Sequence, residues 1–225
     1  MHIPEGYLSP QTYVPFYLVF IGLMGVALRK VKQNLSLKMI PFLGMSSAFS
    51  FLIMMFNIPI PGGSSGHAVG AALIGLIFGP WIAGVSVTVA LLIQAFIFGD
   101  GGITALGANC FNMAFAMPFI SFYVFRIVNN GSENVKRIGI ASFAAGYISL
   151  CSSALFTALE LGIQPLIASS SSGVALYAPF PLKVTIPVLL SEHMLLFGII
   201  EGFITMALFK YFYQSDKNLI AVLKP

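Results

Sequence analysis

The chain alternates between long apolar segments and short stretches that are polar or rich in Gly and Pro. A membrane-spanning helix needs about 20 apolar residues, and the pattern predicts seven spans within one transmembrane domain, residues 1–225. The predicted spans cover about residues 13–28, 39–56, 68–79, 81–98, 104–125, 138–161 and 184–209. At about 1.5 Å per residue, the third span reaches only about 18 Å. Because Pro80 follows it, one kinked helix over the third and fourth segments, and hence six spans, is the alternative.

The distribution of positive charge decides between seven and six spans. With seven spans and the N-terminus outside, ten of the eleven Lys and Arg residues lie on the cytoplasmic side, as the positive-inside rule requires. These ten are Arg29, Lys30, Lys32, Lys38, Arg126, Lys136, Arg137, Lys210, Lys217 and Lys224, and Lys183 is the exception. Six spans would place the last six of the ten outside. We therefore predict an all-α integral membrane protein with seven transmembrane helices, an outer N-terminus and a cytoplasmic C-terminus.

Composition supports a multi-pass protein of the cell membrane. Only 8% of the residues are charged and 58% are hydrophobic, whereas a soluble domain carries about a quarter charged residues. Most of the surface must then face the lipid bilayer, and the net charge of +4 does not indicate a nucleic-acid partner. The first residues, MHIPEGYLSP, lack the basic start of a signal peptide, so we expect none. Cys110 and Cys151 lie inside apolar segments and are expected to be buried thiols.

The predicted outer face carries two helix-breaking runs. Residues 59–67 read PIPGGSSGH ahead of the shortest span, and residues 99–102 read GDGG ahead of the fifth span. Irregular backbone at membrane depth must line a cavity or be covered by protein, so such runs are typical of binding sites in membrane proteins. For residues 99–102, a plain turn at the membrane surface is an equal alternative.

A histidine directly after the first residue offers a donor set that no internal histidine has. The Met1 α-amine, the His2 amide nitrogen and the His2 imidazole can bind one ion through a five-membered and a six-membered chelate ring. Strongly Lewis-acidic ions such as Ni²⁺ and Cu²⁺ displace the amide proton, and a square of nitrogens suits both ions. His67 is the only other histidine on the predicted outer face and would complete the square. The alternative for a lone His2 is a surface residue without a role.

Four ordered strings of residues make a closer assignment. They are MHIPEGYLSP at the start, NIPIPGGSSGH at residues 57–67, GPW at residues 79–81 and QAFIFGDGGITALGANCFNM at residues 94–113. Together they closely resemble the nickel/cobalt substrate-binding (S) components of energy-coupling factor (ECF) transporters, the CbiM/NikM family. The resemblance runs over most of the chain and is densest from residue 1 to residue 113. The start is more similar to the nickel-type members than to the cobalt-type ones.

The resemblance implies a single seven-helix subunit that captures Ni²⁺ or Co²⁺ as the transported substrate, with no organic cofactor and no enzymatic activity. In that family four nitrogens hold the metal nearly square-planar. Carried over, they are the Met1 amine, the His2 amide and imidazole, and the His67 imidazole, with residues 1–12 as the metal-binding N-terminal segment. The implied partners are a transmembrane coupling (T) subunit, two cytoplasmic ATPase subunits and a small membrane subunit. The chain itself lacks the phosphate-binding motif G-x-x-x-x-G-K-[ST].

Ionisable residues inside apolar segments are costly and therefore indicate a role. Glu160, Glu192, His193 and Glu201 are such residues. The eight-residue spacing of His193 and Glu201 puts both near one helix face, and their position also resembles the family pattern. We expect this pair to support the metal ligands or to contact the coupling subunit, and not to bind metal directly. Mutual hydrogen bonding between helices is the alternative.

Asn57, Asn109 and Asn112 flank the two outer runs. They can orient the metal ligands, which metal sites routinely require, or they can cap helices and form turns. Asp100, between glycines, is most simply a turn residue, and it is the candidate if the metal has a fifth ligand.

The second predicted span contains a pattern of small residues, Gly44 and Ala48, four positions apart. Such a pattern lets another helix approach closely. By resemblance to other S components we assign it to the contact with the coupling subunit. Packing inside the monomer is the alternative.

Two other functions fit part of the pattern. A stand-alone carrier or channel for divalent transition metals would use the same site without ATPase partners, and neighbouring genes would distinguish it. An intramembrane metal-dependent hydrolase would use His67, His193 and a glutamate. The chain has no H-E-x-x-H motif, His193 is predicted in the last span away from the loop, and a filled square of nitrogens leaves no position for water.

Overall fold

The structure is a computed structural model that describes residues 1–34, 39–60, 64–217 and 220–223. Lys38 and Lys224, two of the predicted cytoplasmic charges, lie outside the described residues. Pro61, Gly62 and Gly63 of the first predicted outer run also lie outside them.

Helices dominate the described part of the chain. They are α1 (Pro10–Asn34), α2 (Ile40–Met54), α3 (Ala71–Phe78), α4 (Pro80–Phe98), α5 (Leu106–Asn129), α6 (Val135–Gly162) and α7 (Leu182–Ser215), with short helical turns at Gln164–Ile167 and Ala221–Leu223. Five helices in the described residues, α1 and α4–α7, are long and apolar enough to cross a membrane. One helix lies in each of the seven predicted apolar segments.

Helix α3 is short because it is an interior helix. Every residue from Ala71 to Ile77 is buried, and the helix packs against α4, α5 and α7. Protein rather than lipid surrounds it, so it does not need the length of a lipid-facing span. Gly79, with φ +92°, breaks the chain between α3 and Pro80 at the start of α4, which separates the two helices as the seven-segment pattern predicted.

Two short strands from the first predicted outer run pair as a β-hairpin in the described residues, which the all-α prediction did not include. Strand β1 (Ile58–Ile60) pairs antiparallel with β2 (Ser64–Gly66), and Ile58 faces Gly66 in the register. Gly66 lies against the ring of Phe197 in α7, so a Cβ atom at this position would overlap the ring. The glycine therefore allows the hairpin to pack directly onto α7, and His67 follows at its end.

Three helices widen into π-helical turns. These turns are Gln94–Phe98 in α4, Cys110–Ala116 in α5 and His193–Phe197 in α7. A π turn contains an extra residue and re-aims the side chains around it, and such turns are frequent at functional sites. Each one holds a buried polar side chain, Gln94, Asn112 and His193 respectively.

Candidate metal site

Residues 1–9 fold back into the helix bundle at the end where α1 and α5 begin and α6 ends, which we call the site end. Asn109 of α5 pairs with the backbone of Ile3: the Ile3 N–H donates to Asn109 Oδ1 at 2.9 Å, and Asn109 Nδ2 donates to the Ile3 carbonyl at 3.2 Å. The Gly102 N–H donates to the same carbonyl at 2.8 Å. An asparagine and a turn thus fix the chain one residue after His2.

Contacts from three other elements fix the rest of this segment. The Met1 amine donates to the Ser65 carbonyl, and Ser64 Oγ donates to the His2 carbonyl at 3.1 Å, both from β2. Thr157 Oγ1 of α6 lies 3.5 Å from the Met1 carbonyl. The Ser9 N–H donates to Gln164 Oε1 at 2.9 Å. The N-terminus is therefore an internal part of the fold and not a loose tail.

The imidazoles of His2 and His67 lie against each other. Their ring centroids are 4.6 Å apart at an interplanar angle of 27°, and the two residues are 3% and 0% exposed. His67 Nδ1 donates to the Ala68 carbonyl at 3.0 Å, which leaves a lone pair on Nε2. His67 Nε2 and both ring nitrogens of His2 have no hydrogen-bond partner among the described residues. Because a neutral imidazole has one lone-pair nitrogen, each ring can offer one nitrogen to a metal ion beside the Met1 amine.

Burial keeps these nitrogens unprotonated. It lowers the pKa of the Met1 amine to about 4, against a smaller opposing effect of the Asp100 charge. Burial, and then the nearby amine, lower the pKa of His2 to about 3. The pKa of His67 is lowered well below its usual range, first by burial and then by the charges of the amine and His2. Neutral amine and imidazole groups are the forms that bind metal ions.

Asp100 lies at the edge of the site. Its Oδ1 is 3.5 Å from His2 Nδ1, and its Oδ2 accepts a hydrogen bond from Asn57 Nδ2 at 3.0 Å. Burial raises the pKa of Asp100, although the Met1 amine and Asn57 act in the opposite direction. The side chain is 22% exposed, so the carboxyl group lies between the buried His2 ring and the protein surface.

Asn112 and Glu201, two further polar residues named from the sequence, form hydrogen bonds with neighbours of the candidate ligands. Asn112 Nδ2 donates to Glu160 Oε2 at 2.8 Å and to Thr157 Oγ1 at 3.2 Å, so it supports the threonine that contacts Met1. Glu201 accepts hydrogen bonds from the backbone N–H groups of Val69 and Gly70.

His193 donates from Nδ1 to the Leu189 carbonyl at 2.7 Å, and Glu201 bonds to the Val69 and Gly70 N–H groups instead. The mutual bond given as an alternative for this pair is not the arrangement found. The ring of His193 lies against Phe197 in the same π-helical turn, with ring centroids 5.5 Å apart, and Phe197 in turn contacts Gly66.

Gln94 is a site residue that the sequence analysis did not single out. Its side chain is 0% exposed, and neither its Oε1 nor its Nε2 has a hydrogen-bond partner among the described residues. It lies close enough to His2 to oppose the lowering of that residue's pKa. An amide inside an apolar segment was the signal that could have identified it. Thr157 and Gln164 were also missed, because polar residues are common in helices and only the fold brings these two to the N-terminus.

The described side chains alone do not supply enough ligands for a metal site. No group of three or more His, Cys, Asp or Glu side chains in the described ranges is arranged to hold a metal ion. A metal site on His2 and His67 would need further donors, and the Met1 amine and the His2 amide are backbone nitrogens next to the His2 side chain in the chain.

Apolar helices that face lipid, enclosing a buried cluster of nitrogens at one end, define a multi-pass membrane protein with a candidate metal site. Residues 2–219 match the family described as the cobalt uptake substrate-specific transmembrane region, CbiM, and the chain belongs to this family. It is 41% identical over 222 residues to the fused nickel transport protein NikMN of Rhodobacter capsulatus, covering 98% of this chain and 64% of the relative. The chain thus spans somewhat less than two thirds of that fused protein.

Two further comparisons cover more than four fifths of both chains. The cobalt transport protein CbiM of Anoxybacillus flavithermus is 28% identical over 228 residues, which is 100% of this chain and 86% of the relative. A crystal structure of a truncated transition metal transporter superposes with a TM-score of 0.90 at 44% identity, covering 96% of this chain and 99% of that one. The fold is therefore that of a known metal transporter.

Proposed function

We propose that this chain is the substrate-binding subunit of an ATP-driven energy-coupling factor transporter and captures Ni²⁺ or Co²⁺ at the outer face of the cell membrane. The single observation that carries the proposal is the buried pair of histidine rings beside the Met1 amine, with three ring nitrogens unpaired among the described residues. Unpaired buried polar atoms are rare and need an explanation. A metal ion bound to His2 Nδ1 and His67 Nε2 explains two of the three, one from each ring, and the names of the relatives indicate nickel or cobalt.

The proposed donor set consists of four nitrogens. The Met1 amine, the His2 amide and His2 Nδ1 form a five-membered and a six-membered chelate ring around one ion. His67 Nε2 is the fourth donor, because its Nδ1 proton is used by the Ala68 carbonyl. The rings stack face to face in this structure, so the imidazoles must rotate for their lone pairs to converge on the ion. A filled square of nitrogens suits Ni²⁺.

The charges of the described residues support an outer location for this site. Arg126 lies in the last turn of α5, Lys136 and Arg137 lie in the first turn of α6, and Lys210 lies near the end of α7. These basic residues occupy the opposite end of the bundle from Met1. By the positive-inside rule the basic end is cytoplasmic, which supports an outer N-terminus and an odd number of spans, and we propose seven.

One face of α2 supports a membrane partner. Ile40, Gly44, Met45, Ala48 and Leu52 are exposed and form what we call the α2 face. A Cβ atom added at Gly44 would meet nothing within 4 Å. Beside this face, an apolar groove of about 310 Å³ runs between α2, α3 and α7. Small exposed residues allow close helix approach, so we assign the α2 face to the transmembrane coupling subunit, which would connect the chain to two cytoplasmic ATPases and a small membrane subunit.

Metal analysis of the purified protein tests the binding proposal. We expect one Ni²⁺ per chain, a yellow colour and a diamagnetic ion, since square-planar Ni²⁺ in a nitrogen field is low-spin. A colourless protein, or a paramagnetic octahedral ion, would contradict the proposed square of nitrogens. Nickel uptake that persists in cells without the partner ATPases would instead favour a stand-alone carrier with the same site.

A further inference from the structure

The carboxyl group of Glu201 accepts hydrogen bonds from backbone N–H groups just after His67 in the chain. The side chain comes from α7 and is 0% exposed. Its Oε2 accepts a hydrogen bond from the Val69 N–H at 2.9 Å, and both oxygens are 3.1 Å from the Gly70 nitrogen. Both oxygens are thus acceptors, which is the pattern of an ionised carboxylate bound by backbone donors.

The peptide between Ala68 and Val69 connects this carboxylate to the His67 ring. The peptide oxygen accepts the His67 Nδ1 proton at 3.0 Å, and the N–H of the same peptide donates to Glu201 at 2.9 Å. The two groups belong to one planar conjugated amide. A negative charge at its N–H end therefore raises the electron density of its oxygen, since linked hydrogen bonds polarise one another.

We propose that Glu201 is a positioning residue that tunes His67 as a metal ligand through the Ala68–Val69 peptide. The inference rests on the proposed role of His67 as a nickel ligand. The carboxylate strengthens the peptide oxygen as an acceptor, the oxygen holds the Nδ1 proton, and Nε2 becomes a stronger donor to the metal. Metal-bound histidines commonly donate their other N–H to a carboxylate or carbonyl that raises ligand basicity. Here His67 donates to a carbonyl, and the N–H of the same peptide donates to a carboxylate.

The same carboxylate also caps the start of α3, because Gly70 immediately precedes this helix. A purely capping role predicts a loss of stability, whereas the relay predicts a change in the strength of one metal ligand. The two roles can therefore be separated by measuring the absorption of bound nickel and by testing the Glu201 variant with and without His67.

Glu201→Gln is the main variant, because it keeps the shape and removes the charge. Its matched control is Glu192→Gln, which makes the same change on the same helix. The readouts are the Ni²⁺ dissociation constant and the visible absorption maximum. We expect Glu201→Gln to weaken binding about 10- to 100-fold and to move the band to longer wavelength, since a weaker donor lowers the ligand field. Glu192→Gln should match the native protein.

Combination with His67→Ala distinguishes a relay from a cap. In a His67→Ala background, Glu201→Gln should cause no further loss of residual Ni²⁺ binding. An equal additional loss, or a folded Glu201→Gln protein with native affinity and absorption, would overturn the relay. If Glu201→Gln does not fold, Glu201→Asp replaces it. Its shorter side chain should weaken binding, and native affinity would again overturn the relay. Native binding by His67→Ala itself would instead refute the proposed metal site.

Discussion

The site end and the α2 face are built in opposite ways. At the site end, Met1, His2 and His67 are almost fully buried, and most of the polar groups around them are fixed by hydrogen bonds from β2, α5, α6 and α7. On the α2 face, Met45 is 65% exposed and a Cβ atom added at Gly44 would meet nothing within 4 Å. A rigid, enclosed region suits selection of a small ion, while an open region of small side chains suits another membrane helix.

This difference predicts that binding and transport can be separated by mutation. Changes at the site end should act on metal affinity, whether or not the partner subunits are present. Changes on the α2 face should leave affinity intact and act on ATP-driven uptake. Site-end changes should lower uptake only as far as they lower affinity, and a substitution on the α2 face that weakens metal binding would show that the two regions are coupled more closely than their contacts indicate.

The largest expected effect is that of His67→Ala. The change removes one of four nitrogens and should weaken Ni²⁺ binding by more than about 100-fold, since even indirect supports of a ligand are worth about 10- to 100-fold. Isothermal titration measures the affinity and circular dichroism checks the fold. His193→Ala is the comparison variant and should bind nearly normally. If His193→Ala abolishes binding, the site lies deeper than proposed.

On the α2 face, Gly44→Leu should leave Ni²⁺ binding unchanged and reduce uptake by the assembled transporter to background. A bulky side chain has space in the isolated chain but blocks close approach of a partner helix. Gly25→Leu in α1 is the matched control, because that glycine is also exposed with nothing within 4 Å of an added Cβ. Equal uptake by the two variants would contradict the assignment of the α2 face to the coupling subunit.

The pH dependence of affinity comes next. With the pKa of the Met1 amine at about 4 and that of His2 at about 3, both groups are neutral above about pH 5. Only the His2 amide then loses a proton on binding, so affinity should rise about tenfold per pH unit between about pH 5 and 8. Below the pKa of the amine the dependence should steepen. Titrations at constant ionic strength provide the measurement, and a flat profile would exclude the amide as a ligand.

The smallest effect is expected for Asn109→Ala. The change removes both hydrogen bonds to Ile3 and leaves its buried N–H unpaired, a cost of about 1–3 kcal/mol. Ni²⁺ binding should weaken about tenfold, because the N-terminal segment is less well fixed. Asn134→Ala removes a side-chain hydrogen bond to the Lys136 N–H at the opposite end of the bundle, and it should bind nickel as the native protein does.

The sequence predicted where the helices lie because an apolar segment is a local signal. It located a helix in each apolar segment, including α3, whose shortness looked anomalous until its burial by neighbouring helices was seen. The hairpin at β1 and β2 was not predicted. Its strands are only three residues each, and their pairing depends on packing against α7.

His2 was named as a candidate ligand because its chemistry depends on its place next to the first residue, and His67 because it is the only other histidine on the predicted outer face. Their supports were harder to identify. Asn109 and Asp100 were named as candidates from their place beside the outer runs, yet only the fold shows that one holds Ile3 and the other faces His2. Gln94 was missed, since a single amide in an apolar helix does not reveal which neighbour it meets 92 residues away in the chain.

Extension of the N-terminus tests the central claim most directly. One alanine added before Met1 keeps every side chain and nearly the same charge, but it converts the terminal amine into an amide and removes the five-membered chelate ring. Bound nickel and nickel uptake should be compared for the native terminus, the alanine extension and a C-terminal tag, with mass spectrometry confirming that Met1 is retained. We expect the extended protein to lose binding and uptake while the C-terminally tagged protein keeps both. Native affinity in the extended protein would contradict the chelate at Met1 and His2.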